Sequence, residues 1–276
     1  MNSVLITGGT GTLGHGLVER LLQSEVGRIC IISRGEKAQA DMARKFPDDR
    51  VRFFIGDVRD RWRLRRAMDG CEVVIHAAAL KRIEVGVYNP DEMVKTNVLG
   101  TANVIEGARG ASVNKVVLVS SDKAFEPVSP YGYSKALAES LFVSANASRH
   151  PAGPRYSVVR YGNVWGSNGS VIPLWKSILE SGGTPVITDT RCTRFFIRLS
   201  EAVEYVLGAV EKMIGGEIFT PTLPAYSIGD LMQAMRLPGC DFSGLPAHEK
   251  LHESMKAGDC SRDARRMSIE ELRSHL

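Results

Sequence analysis

Tyr131 and Lys135, in Tyr131-Gly-Tyr-Ser-Lys135, stand one helical turn apart and share a face of any helix that carries them. A phenol ordinarily titrates near roughly 10, and a neighbouring ammonium favours the phenolate. The spacing therefore suits Tyr131 as a general base toward a substrate hydroxyl. Just upstream, Ser121-Asp122-Lys123 sets a hydroxyl, an acid and an amine side by side. Such a group can act as a general acid and base. Taken alone, Tyr-x-x-x-Lys arises by chance in many helices and Asp-Lys is an ordinary solvated loop pair. A scaffold that brings them to a bound cofactor would make them chemistry.

That scaffold starts at Gly8. In Thr7-Gly-Gly-Thr10-Gly11-Thr12-Leu13-Gly14, three glycines at fixed spacing follow an apolar strand and open a helix. Glycine there permits a tight turn, close approach of a pyrophosphate and helix–strand packing, and the helix N-terminus offers N–H groups to the phosphates. A bare glycine pattern is a weak signal, but between strand and helix it predicts dinucleotide binding, and an ordinary turn does not require three glycines so placed. The second strand ends at Ser33-Arg34, where an NAD-preferring chain would carry an acid for the ribose hydroxyl. Ser33, Arg34 and Lys37 predict a 2′-phosphate, hence NADP over NAD, against the alternative of a solvated surface arginine. Asp57-Val58 follows the third strand and is placed for the adenine edge. Ala77-Ala78-Ala79 ends the fourth with side chains small enough for backbone to lie on the cofactor. His76 reads as a packed, hydrogen-bonded core histidine.

The elements that must position these residues are legible as a repeating pattern. Val4–Ile6, Ile29–Ile32, Val51–Ile55, Val73–Ile75, Val116–Val119 and Ser157–Val159 are near-continuous apolar runs, as in strands buried on both faces. Amphipathic stretches at Leu13–Leu22, Glu36–Lys45, Val94–Ala108 and Ala136–Ala145 lie between them. The expected fold is α/β: a Rossmann-type doubly wound parallel sheet with a small carboxyl-terminal substrate-binding lobe. The division falls at residues 1–164 and 165–276, interleaved as one unit. Helices are expected at Ile172–Glu180, Glu201–Met213 and Ile228–Met235, and Ser268 with Glu271 makes a capping box for a last one.

Composition excludes other classes. At 43% hydrophobic and 24% charged, the chain is neither disordered nor fibrous. A net charge of +4 points to no nucleic-acid partner. The five cysteines are odd in number and lack C-x-x-C, which argues against disulfides or a metal site and for a reducing compartment. With no leader-like start and no long apolar run, a soluble cytoplasmic protein without a membrane partner is expected.

Gly8–Gly14, His76–Ala79, Asn97, Ser120–Ser121 and Tyr131/Lys135 together resemble the extended short-chain dehydrogenase/reductase superfamily. Ala78-Ala-Leu-Lys-Arg82, Tyr88-Asn-Pro90, Lys95-Thr-Asn97, Ser121-Asp-Lys-Ala124, Tyr161-Gly-Asn163 and Gly169-Ser170-Val171-Ile-Pro173 are similar to the inverting UDP-N-acetylglucosamine 4,6-dehydratases. Thr193-Arg194-Phe-Phe196, Gly216-Glu-Ile-Phe219 and Glu249-Lys-Leu-His-Glu253 extend the likeness over most of the chain.

The resemblance implies that Tyr131, held by Lys135 and helped by Ser121, serves C4 oxidation, that Lys123 removes the C5 proton, and that Asp122 protonates the departing C6 hydroxyl. It places Lys81 and Asn97 at the cofactor, and Lys81, Asn163, Ser170, Val171, Pro173, Arg194 and Glu249 at a UDP-sugar. Trp175 and Phe195 are candidates to pack on uracil or to fill the lobe core. Retaining relatives carry methionine at the tyrosine position, so Tyr131 favours inversion, and relatives commonly form homo-oligomers. Pro246 stands where the family has an arginine, with His248 or Lys250 as substitutes. Rival readings are a retaining dehydratase, a 4-epimerase or 4-ketoreductase on another nucleotide sugar, and a non-catalytic NADP-binding regulator.

Overall fold

A computed structural model describes residues 1–276. Strands β1 (Ser3–Thr7), β2 (Arg28–Ser33), β3 (Val51–Ile55), β4 (Val73–His76), β5 (Lys115–Ser121) and β6 (Arg155–Tyr161) are joined by a short edge strand, Ile218–Phe219. They make a seven-stranded sheet in the order edge strand, β6, β5, β4, β1, β2, β3, and each pairing is parallel. All residues of β1 and β4 are buried, which is why these strands read as continuous apolar runs. Alternate side chains still serve opposite faces. Val4, Ile6, Ile29 and Ile31 pack under helix α1 (Thr12–Leu22) and α2 (Glu36–Lys45). Leu5, Cys30, Ile32 and Val74 pack on the other face with α3 (Arg61–Met68). Each fully buried Leu or Ile stabilises by about 1.5–3 kcal/mol, so the two layers dominate the folding energy.

Strand order reverses between β1 and β4, opening a crevice at their carboxyl ends. Beyond β4 run α4 (Ile83–Tyr88), α5 (Pro90–Met93), a π-helical turn (Val94–Leu99) and α6 (Gly100–Arg109). The sequence reads this last stretch as one amphipathic helix. The wider turn instead brings the Asn97 amide onto Leu80, accepting from its N–H at 2.8 Å and donating to its carbonyl at 2.9 Å. Helix α7 (Pro130–Ala145) starts earlier than its apolar periodicity suggests. Ser129 caps it by accepting from the Gly132 N–H at 3.1 Å, and Pro130 fills the first helical position.

The lobe contains β7 (Asn163–Val164), α8 (Val171–Glu180), β8 (Val186–Ile187), β9 (Thr193–Ile197), β11 (Ala225–Ser227), α10 (Ile228–Met235) and α11 (Ile269–Arg273), with β10 being the edge strand already described. Trp175, Ile187, Phe196, Tyr226 and Leu231 form its small core. Helix α9 (Leu199–Lys212) lies between these elements in sequence but packs with α1 on the large sheet. With β10 it returns the chain to the first layer, so residue 164 divides the sequence and not the packing. At α11 the Ser268 hydroxyl accepts from the Glu271 N–H at 3.1 Å and Glu271 Oε2 accepts from the Ser268 N–H at 2.8 Å, the reciprocal cap expected there.

Candidate active site

The crevice and the lobe enclose a cleft of about 1040 Å³, at the upper end of ligand-site volumes. Its floor is the glycine loop. Gly8 has φ +67°, and a Cβ there would come within 2.8 Å of Ala78 Cα. A Cβ on Gly14 would stand 2.0 Å from the Gly9 carbonyl oxygen, so only glycine lets α1 sit this close to the loop. No side chain caps α1, and Thr10, Gly11, Thr12, Leu13 and Gly14 line the cleft at its N-terminus. These N–H groups and the positive helix end fit a pyrophosphate.

Ser33, Arg34, Asp57, Val58, Ala77, Ala78, Ala79 and Lys81 also line the cleft, whereas Lys37 does not. Asp57 is engaged by its neighbour, accepting from the Arg59 N–H at 2.9 Å and from Arg59 Nη2 at 2.8 Å. Asn97 stands behind the wall: besides Leu80, its amide donates to Ser134 Oγ at 2.9 Å. It shapes the Ala79–Lys81 loop and has no face on the cleft. His76 is fully enclosed. Thr101 donates to the Asn97 carbonyl at 2.6 Å and so accepts from His76 Nε2–H at 3.1 Å, leaving Nδ1 to accept from Thr7 at 2.6 Å. Burial, with the nearby Lys135 charge, pushes this imidazole down to about 3, which fixes it as a neutral core group.

The reacting groups meet where β5 runs into a one-turn 3₁₀ helix, Asp122–Ala124, against the first turn of α7. Tyr131, Ser121 and Lys123 face the cleft; Asp122 is fully buried behind them. Its Oδ1 accepts from Ser121 Oγ at 2.9 Å and from Lys123 Nζ at 3.0 Å, and Oδ2 has no partner. Lys123 Nζ also donates to Asn163 Oδ1 at 3.1 Å. Burial alone would push this ammonium down, but Asp122 and Glu253 outweigh it and hold Lys123 above the ordinary lysine range.

The Lys135 amine, expected beside Tyr131, is held by a backbone acceptor. Lys135 Nζ donates to the Val119 carbonyl at 2.7 Å, and burial, partly offset by Glu139, brings it down to about 8. Burial raises the Tyr131 phenol, and the cation that opposes this is Lys123, aided by Ser121. One helical turn sets the two residues on a common face, but a backbone acceptor claims the amine.

At the lobe, Arg194 is 5% exposed and reaches the cleft with its guanidinium already held, Nη2 donating to Glu249 Oε1 at 2.5 Å and Nη1 to the Thr193 carbonyl at 2.9 Å. Ser170 and Val171 line the cleft at the start of α8, and Ser170 Oγ is buried without a partner. Pro173 is one turn further and does not reach it. Trp175 serves both lobe core and cleft wall, while Phe195 is wholly core with Ala225 and Met255. His248 and Lys250 line the cleft near Pro246, with Lys250 Nζ donating to the Phe125 carbonyl at 2.9 Å. Sequence reasoning missed Ser120, Thr96, Tyr226 and Glu253 as cleft residues. Ser120, Thr96 and Glu253 each lie within a segment that carries the family resemblance, whereas Tyr226 carried no signal.

Residues 4–271 match the family described as polysaccharide biosynthesis protein. The chain belongs to this family. A relative, the UDP-N-acetylglucosamine 4,6-dehydratase (inverting) of Campylobacter jejuni, is 44% identical over 263 residues, 94% of this chain and 78% of that one. A UDP-glucose 4-epimerase of Rickettsia prowazekii is 38% identical over 266 residues, 93% of this chain and 78% of that one. Among solved structures, Pen from Bacillus thuringiensis superposes with TM-score 0.93 at 33% identity, covering 99% of this chain and 96% of its own. DesIV, a dTDP-glucose 4,6-dehydratase from Streptomyces venezuelae with NAD bound, has TM-score 0.85 at 22% identity over 99% of this chain and 95% of its own, a likeness of fold. The family member described here therefore has the extended short-chain dehydrogenase/reductase fold. None of its helices is long and apolar enough to cross a membrane.

Proposed function

We propose that this chain is a UDP-N-acetylglucosamine 4,6-dehydratase that inverts C5. The observation that carries the reading is the Asp122–Lys123 pair, 3.0 Å apart at the end of β5 and beside Tyr131. Moving a hydride at C4 needs only a hydroxyl, a tyrosine and a lysine; a dehydration needs an additional acid and base. The 44% identity to a protein of that name supports the substrate.

Tyr131, with Ser121 beside it, accepts the C4 hydroxyl proton as hydride leaves C4. NADP⁺ held by the glycine loop, Arg34 and the Ala77–Ala79 segment would supply an acceptor and a later donor for that hydride. The resulting 4-ketone acidifies C5–H, which Lys123 removes, while the proton for the C6 hydroxyl departing as water comes from Asp122 through the Ser121 hydroxyl, which is 2.9 Å from Asp122 Oδ1 and faces the cleft. Hydride returns to C6, and Tyr131 delivers a proton to the opposite face of C5. The sum is loss of one water from the sugar with no net redox change. Mass spectrometry of the product, combined with absorbance of the cofactor, tests this: a sugar lighter by one water with no accumulated reduced cofactor is expected. An epimer of unchanged mass would instead favour the second reading, 4-epimerisation, which the Rickettsia relative keeps in view.

NADP is proposed over NAD because Arg34 lines the cleft beside Ser33. Charge-assisted hydrogen bonds contribute about 1.5–3 kcal/mol each. Arg34→Asp is therefore expected to weaken NADP⁺ binding by about ten- to a hundredfold while sparing NAD⁺, as read by calorimetry. An unchanged ratio of the two affinities would remove this assignment. Self-association is supported by the exposed apolar side chains Tyr88, Leu99, Tyr133 and Leu137 on α4, the π turn and α7. Sedimentation equilibrium is expected to give a mass above the 30.2 kDa of one chain.

A further inference from the structure

Lys123 has three N–H donors and three oxygen neighbours, each from a different part of the chain. Asp122 Oδ1 lies at 3.0 Å on the 3₁₀ turn, Asn163 Oδ1 at 3.1 Å on β7, and Glu253 Oε1 at 3.5 Å from the carboxyl-terminal segment. Glu253 is 2% exposed, and its other oxygen, Oε2, stands 2.8 Å from Lys250 Nζ. Its backbone is pinned as well: the Glu253 N–H donates to Ser261 Oγ at 2.9 Å, and the Ser261 N–H donates to the Glu253 carbonyl at 2.8 Å. A carboxylate this deeply buried has a large desolvation cost unless cations compensate it. Lys123, Arg194 and Lys250 do so, and they outweigh burial to hold Glu253 below the usual glutamate range. The other groups facing Lys123 are Arg194 on β9, Tyr131 on α7 and Tyr226 on β11.

We propose that Glu253 is a positioning residue which, from the lobe, completes an oxygen cage that orients the Lys123 amine and keeps it protonated until Asp122 takes its proton. The inference rests on the dehydratase reading for its consequence in turnover. In the resting cage the amine carries its proton and has no lone pair for C5–H. Transfer from Lys123 Nζ to Asp122 Oδ1 breaks one N–H and forms one O–H, leaving a neutral amine and a neutral acid, which are the base and acid the elimination needs. Removal of C5–H returns the proton to Lys123, and protonation of the leaving hydroxyl takes it from Asp122. The pair ends as it began, and Glu253 stabilises the regenerated ammonium. No outside proton donor is required.

The test measures the amine directly. Lys123 in the purified full chain is labelled with an amine-reactive reagent across a pH series without sugar and quantified by peptide mass spectrometry. Glu253→Gln keeps the shape and removes the charge, and is expected to move the midpoint of Lys123 labelling down by about one pH unit or more. Lys250→Met disturbs the same segment but leaves the Glu253 charge, and is expected not to lower that midpoint. Superimposable profiles for Glu253→Gln and the unmodified chain would overturn the proposal, as would an equal fall in both variants, which would mark a merely structural effect. Because no sugar is present, failure of the dehydratase reading leaves this measurement intact, and failure here leaves the product assay intact.

Discussion

Lys123→Met is expected to leave C4 oxidation in place and to lower formation of the dehydrated product by about a thousandfold, the ordinary reach of a general base. Methionine retains much of the stem but removes the group that takes C5–H. In a single turnover with UDP-N-acetylglucosamine, reduced cofactor should therefore appear and persist, because hydride has left C4 and has no C6 acceptor. The substitution also leaves Asp122 and Glu253 buried without their shared cation. Breaking such a pair costs about 3–5 kcal/mol, so thermal unfolding must accompany the kinetics. A folded Lys123→Met variant that still forms product at the original rate would exclude Lys123 as the base.

Tyr131→Phe is expected to fail one step earlier. Without the phenol, nothing at this position accepts the C4 hydroxyl proton, and turnover should fall by about a thousandfold or more. No reduced cofactor should appear on mixing with the sugar, which separates this variant from Lys123→Met. Cofactor affinity should be little changed, since the glycine loop and the Ala77–Ala79 segment stay intact. Rapid-mixing absorbance with both variants reads the order of the steps, and early reduced cofactor in Tyr131→Phe would contradict the role given to the phenol.

Much of this was open to reading in the chain itself, where the signal is local. Gly8 and Gly14 mark a left-handed turn and a close helix–loop approach that only glycine permits, and the buried strands show as unbroken apolar runs because both faces are covered. The capping box at Ser268 is equally local. What escaped depends on contacts distant in sequence. The π turn exists because Asn97 bonds the Leu80 backbone, and amphipathic periodicity carries no trace of that. The early start of α7 had a signal in Ser129-Pro130, but the apolar stripe begins later and drew the boundary inward. Spacing places Lys135 on the face of Tyr131, but it carries no trace of the Val119 carbonyl that accepts from the amine at 2.7 Å. The cage around Lys123 joins the 3₁₀ turn, β7 and the carboxyl-terminal segment, so its composition becomes visible only once the chain has folded.

The central claim is that Asp122 and Lys123 carry out an elimination across C5 and C6. Proton NMR of the protein with UDP-N-acetylglucosamine and NADP⁺ in deuterated water tests it most directly. The account predicts a new C6 methyl signal, deuterium at C5, and coupling constants for the inverted sugar, all lost in Lys123→Met. A sugar that keeps its C6 hydroxyl and its C5 proton while cofactor is bound would contradict it.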